Sequence, residues 1–308
     1  MCIKERNPSD STCKKLLRDK GCFADLCNYA FFQGRQVIQP EELVSRENDL
    51  STLIGKVDKP TEIKRYRDVV RKASIHGEYV IIGVEHQRTF DEKMIFRILN
   101  YDATIYINQV ESKQEIYPVG SFVFYTGDKE WKSPETLKET LKNIPSEMEP
   151  YINDWRLPVV GLKTMNARKL TNQRLKEVVE ISQSMFAGNY DDLRNNRKIE
   201  TENFMMAAIF TRTKIKREDL PEGDEINMCE AMDRLFQRFE NQGMEKGKII
   251  GFEKGKSDTL KEQLKVKLGT LSRPLEKQLT NTSLEKLNEL TLNIFNVTNE
   301  EDVLRIID

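Results

Sequence analysis

The chain has 308 residues, 38% of them hydrophobic and 32% charged, with a formal net charge of −1. That length allows one large domain or two modest ones with a real core. The near-neutral balance excludes a global attraction to nucleic acid, so any DNA contact must come from a local basic patch. No run of about 18 apolar residues offers a membrane span.

The opening residues, MCIKERNPSDSTCKK, carry no apolar stretch of a secretory signal. The odd set of five cysteines predicts reduced thiols and a cytoplasmic location. Cys2, Cys13, Cys22 and Cys27 crowd the start, and a zinc site is the sharper alternative, although His76 and His86 stand at no metal-ligand spacing from them. Residues 1–20 read as polar and frayed. Phe23 to Phe32 predicts a short helix, stopped near Gly34. Gln39 is expected to be extended before Pro40, and residues 45–63 to form a loop or edge segment. Tyr66 to Lys72 is a strand candidate, Ser74 to Glu78 has turn character, and Tyr79 to Gln87 reads as a central strand covered on both faces. Met94, Ile98, Tyr101 and Ile105 have helical spacing within Glu92 to Gln109. Tyr117 to Thr126 is a further apolar strand, closed by Gly127.

From about residue 134 the pattern is helical, with amphipathic stretches at Leu170 to Met185 and Met228 to Gln242. Gly243, Gly247, Gly251 and Gly255 then recur at four-residue intervals. Each internal glycine costs a helix about 1 kcal/mol, so propensity argues against a lone helix there. Two amphipathic segments end the chain, roughly 257–280 and 283–308, the second with a capped start at Ser283.

The candidate chemistry lies on the predicted hairpin. A turn centred on His76 and Gly77 pairs positions whose numbers sum to 153. Asp68 and Glu85 would then face each other across antiparallel strands, and Gln87 would share their face. Opposed carboxylates repel unless a cation lies between them. A hard divalent cation such as magnesium suits oxygen ligands, polarises a phosphoryl oxygen and lowers the pKa of bound water. The blander reading is a salt bridge from Asp68 to Arg65, Arg67 or Arg71. His86 falls on the opposite face and reads as structural.

RYRDVVRK, YVIIGVEHQ, MIFRILNYDATIY and FVFYTGDKEWKSPETL, in that order, resemble the bacterial recombination-promoting nuclease and transposase (Rpn-type) family of the PD-(D/E)XK nuclease superfamily. The likeness covers roughly residues 22–160, and the glycine-punctuated tail resembles that family's usual ending. It implies an α/β fold: a mixed-sheet, restriction-endonuclease-like PD-(D/E)XK core at 20–165, a helical region at 166–242, and a glycine-punctuated helical tail at 243–308. It implies that Asp68 and Glu85 are the two acids of the motif and bind metal. Gln87 stands where the superfamily has lysine, and can orient water by hydrogen bonds but cannot act as a cation or a base. Asp25 is placed like the acid that often completes such a metal site.

The resemblance also sets the helix bearing Arg97 and Tyr101 beside the site, where Arg97 suits a phosphate; pairing with Asp102 or Glu92 is the structural alternative. Seven basic residues fall between Lys56 and Lys72, among them Lys59, Lys64, Arg65, Arg67 and Arg71, a DNA-backbone patch or a merely solvated edge. The expected function is a magnesium-dependent DNA endonuclease of recombination, mobile elements or phage defence. The alternative is a catalytically weakened nuclease fold that binds DNA or protein. Homo-oligomerisation through residues 228–308 is expected, because glycines let helix backbones approach.

Overall fold

The computed structural model of the chain describes residues 8–44, 69–113 and 115–307. The fold is mixed α/β and mostly helical, around a four-stranded mixed sheet in the order β1-β2-β3-β4. Strand β1 (Val69–Ile75) pairs antiparallel with β2 (Glu78–Gln87), and β2 pairs parallel with β3 (Val119–Tyr125). Strand β4 (Val159–Gly161) extends the sheet in parallel. Helix α3 (Met94–Glu111) connects β2 to β3, as a parallel pair requires. β2 is the covered inner strand that its apolar run predicts, buried from Ile81 to His86.

The hairpin turn has the predicted centre. His76 and Gly77 both take positive φ, 52° and 89°, the backbone that joins two strands through a two-residue turn. The register runs from Ile75↔Glu78 to Val69↔Val84, every pair summing to 153.

Alternation then gives the sheet two different faces. Ile82, Val84, Phe122 and Phe124 point to a core shared with helices α1 (Pro8–Arg18), α2 (Lys20–Phe32), α4 (Gln173–Ala187) and α5 (Thr201–Thr211). Val123 and Tyr125 point the other way, under Met94, Ile95, Ile98 and Tyr101 of α3. Each fully buried large apolar side chain stabilises such a core by roughly 1.5–3 kcal/mol.

Several expectations change. Residues 8–18 form a helix rather than a frayed end, since Thr12, Cys13, Leu16 and Leu17 make one buried stripe. Gln39 is extended ahead of Pro40, as expected, and Pro40 then opens a single 3₁₀ turn, Pro40–Glu42, where a proline lacking N–H costs nothing. The stretch after residue 134 is largely irregular up to α4, with one helical turn at Leu137–Thr140, because Pro134, Pro145, Pro150 and Pro158 interrupt it. Short strands β5 (Lys198–Glu200) and β6 (Glu225–Asn227) also fall within the part read as helical. The compact units divide between Met232 and Asp233. Leu175, Val178, Met206 and Phe210 belong to the sheet's own core, so α4 and α5 are part of the first unit rather than a separate region.

Helix α6 (Met228–Leu268) runs unbroken through all four glycines. Its early residues Ala231, Met232 and Leu235 are buried, as are Leu260 and Leu264 near its end. With both ends anchored, continuing the helix costs about 1 kcal/mol per glycine, while breaking it requires a second nucleus. Residues 241–252 are all exposed. The second unit closes Leu260, Leu264, Leu275, Leu287 and Val303 over one another, using α7 (Arg273–Asn281), α8 (Leu284–Asn293) and α9 (Glu300–Ile307). Ser283 is the N-cap residue of α8, but its side chain makes no capping hydrogen bond. No helix among the described residues is long and apolar enough to cross a membrane.

Candidate active site

Glu85 lies near the end of β2, in register with Val123 of β3, on the face covered by α3. It is 5% exposed, and a carboxylate there needs charged or hydrogen-bonding company. Arg97, in the first turns of α3, supplies it: one guanidinium nitrogen donates to Glu85 Oε1. The other donates to Asp91 Oδ2 at 3.0 Å. Burial pulls the Arg97 pKa down, but the Glu85 carboxylate, helped by Tyr101, outweighs it and holds the value above the ordinary arginine range. Gln87 Nε2 also donates to Glu85 Oε1, at 3.3 Å, so the two share a face as alternation requires.

Asp91 is the partner of Arg97, where helical spacing points to Asp102 or Glu92. Asp102 instead accepts from Ser121 Oγ at 2.6 Å. Asp91 opens α3, its side chain accepting from Lys93 N and its carbonyl from Met94 N. An acidic residue just ahead of a helix was the available signal.

Asp68, Arg65 and Arg67 lie outside the described residues, as do Lys56, Lys59 and Lys64. The described donors, a carboxylate and an amide oxygen, are of the type a hard divalent cation takes. Among the described residues, however, no three His, Cys, Asp or Glu side chains stand close enough to hold a metal, so a ligand set needs a further acid.

Asp25 has other work. It is 2% exposed and accepts four hydrogen bonds: from Gln36 Nε2 at 3.0 Å, Thr171 Oγ1 at 3.2 Å, Thr171 N at 2.9 Å and Asn172 N at 2.9 Å. A carboxylate has about four lone-pair sites, so these donors fill it. It ties α2 to the start of α4.

Arg71 and Lys72 are likewise engaged within the fold. Arg71 Nη2 donates to the carbonyls of Leu17 and Arg18, both at 3.0 Å, closing the C-terminus of α1, and its guanidinium lies over Phe23. Lys72 Nζ sits 4.0 Å from the Tyr79 ring centre and 3.7 Å from that of Tyr117. Two aromatic faces thus hold an ammonium expected to meet phosphate.

His86 faces away from Glu85, as expected, and is buried. Its Nδ1 lies 3.0 Å from Asp10 Oδ1 and its Nε2 2.8 Å from Thr126 Oγ1, with Phe124 and Phe210 beside the ring. Cys13, Cys22 and Cys27 are buried in the core. Burial, then Asp19, pushes the Cys22 thiol well above its ordinary range, and its Sγ donates to Asn172 Oδ1 at 3.2 Å. Cys2 lies outside the described residues.

Residues 61–208 match the family model described as "Putative transposase, YhgA-like". No curated protein and no solved structure matches the chain.

Proposed function

We propose, from the premise that this chain belongs through residues 61–208 to the YhgA-like transposase family, that it hydrolyses phosphodiester bonds in DNA with magnesium, in mobile-element chemistry. The observation that carries the reading is Glu85: a buried carboxylate at the end of a central strand, bound to a partly exposed arginine and beside an amide. A restriction-endonuclease-like core accords with the antiparallel hairpin, the helix after it and the parallel strands beyond.

In this reading Asp68 and Glu85 hold the metal, with Asp68 entering from the sequence argument alone. Magnesium, when bound, supplies a Lewis acid for the phosphoryl oxygen and a bound water of lowered pKa. Gln87 orients the attacking water by hydrogen bonds. Arg97 neutralises Glu85 in the absence of substrate and presents a planar fork suited to a phosphate oxygen. The expected result on supercoiled plasmid is nicking that requires magnesium and is lost in Asp68→Ala. Equal nicking by that variant would remove Asp68 from the site.

The second reading is a weakened nuclease fold that binds DNA or protein. Gln87 favours it, having neither charge nor basicity, and so does the guanidinium already seated on Glu85. Calorimetry separates the two: DNA binding without magnesium binding at millimolar concentration supports the second.

For assembly, the proposed surface is the exposed part of α6. A Cβ at Gly243, Gly247, Gly251 or Gly255 would meet nothing within 4 Å, and Met244, Ile249, Ile250 and Phe252 stand exposed among them. A second copy of this helix is the proposed occupant, since glycine lets backbones pack closely. Light scattering should give a multiple of 35.9 kDa, and a monomeric mass contradicts this.

A further inference from the structure

We propose that Phe90, braced by Trp131, is a stacking platform for an unpaired nucleobase of the DNA strand beside Glu85. The inference rests on the nuclease reading for its ligand and adds a substrate class to it.

Position comes first. Phe90 lies three residues past Gln87 and immediately before Asp91, the residue that holds Arg97. An aromatic series leads to it from the sheet. Tyr125, the register partner of Gln87, meets Trp131 edge to face at 5.0 Å, and Trp131 meets Phe90 in the same way at 5.9 Å. The Trp131 indole N–H is buried with no hydrogen-bond acceptor among the described residues, so aromatic packing is what seats that ring. Gly127 lets the two loops close on each other, because a Cβ there would strike the Tyr125 hydroxyl and the Arg88 carbonyl.

Phe90 nevertheless remains 39% exposed. It is thus an apolar ring, held from behind and open in front, at the rim of a charged site.

The two loops at this rim carry no net charge. The loops 88–93 and 127–132 carry four basic residues (Arg88, Lys93, Lys129, Lys132) and four acidic ones (Asp91, Glu92, Asp128, Glu130). Stacking on an aromatic face needs no net charge and tolerates any base. Within a duplex both faces of each base are covered by its neighbours, so the ring can only take a base that is unpaired, frayed or flipped out.

The test uses full-length protein in the Glu85→Gln background without magnesium, with oligonucleotides carrying one 2-aminopurine. Stacking quenches that base's fluorescence. The single strand should bind and be quenched, the blunt duplex far less. Phe90→Ala should weaken single-strand binding about ten-fold and abolish the quench, in line with about 1–3 kcal/mol for base–aromatic stacking. Phe90→Trp should restore both, while Phe90→Leu, apolar but without a π face, should not. An unchanged quench in Phe90→Ala, equal quenching of the blunt duplex, or no binding of any oligonucleotide overturns the proposal. Plasmid cutting by the wild type is scored separately, so the nuclease reading can stand or fall apart from the platform.

Discussion

Asp25 and Glu85 are both buried carboxylates, and the sequence reading placed both at one metal. Asp25 accepts from an amide, a hydroxyl and two backbone N–H groups, which leave it no vacant lone pair. Glu85 accepts from a guanidinium that is itself 30% exposed, and from a neighbouring amide. Burial alone therefore does not mark a functional acid. The partners differ in kind: four neutral donors surround Asp25, whereas the chief partner of Glu85 is a cation on a partly exposed side chain.

The largest expected effect separates the two by stability. Asp25→Ala strands the N–H groups of Thr171 and Asn172 and should cost about 3 kcal/mol, read as a lower urea midpoint with or without magnesium. A loss below about 1 kcal/mol would collapse the distinction. Arg97→Ala comes next. It removes the cation beside Glu85, and with the arginine partly solvated the cost should be about 1–2 kcal/mol. Magnesium should recover part of this in a melting experiment, whereas an anchoring role for the pair predicts no recovery. Arg71→Ala should cost about 1 kcal/mol by uncapping α1, while leaving the salt dependence of DNA binding unchanged. A shallower salt slope would return Arg71 to the DNA surface. Gln87→Ala should change stability by less than about 0.5 kcal/mol, its hydrogen bond being long, yet slow any cutting. A stability loss equal to that of Arg97→Ala would make Gln87 a structural residue.

Local pattern revealed the parts of the fold whose partners are close in sequence. The His76–Gly77 turn, the sum-153 register and the helix following β2 all follow from neighbouring residues. Asp25 could not be read in this way, since its backbone donors lie 146 and 147 residues along the chain. Lys72 looked like one charge in a basic run until Tyr79 and Tyr117 closed on it. α6 overrode the propensity of its glycines because it is anchored at both ends. At the site itself, alternation along β2 sufficed to separate Glu85 and Gln87 from His86, whereas Asp91 and the Phe90–Trp131 pair required the loops to fold back.

The central claim is that Glu85 is a working acid rather than an anchor. Supercoiled plasmid with wild type and Glu85→Gln, each with and without magnesium, tests it most directly once both proteins are shown to share a urea midpoint within about 1 kcal/mol. The expected result is magnesium-dependent nicking by the wild type alone. Nicking by Glu85→Gln at the wild-type rate, or none by either protein, would contradict it.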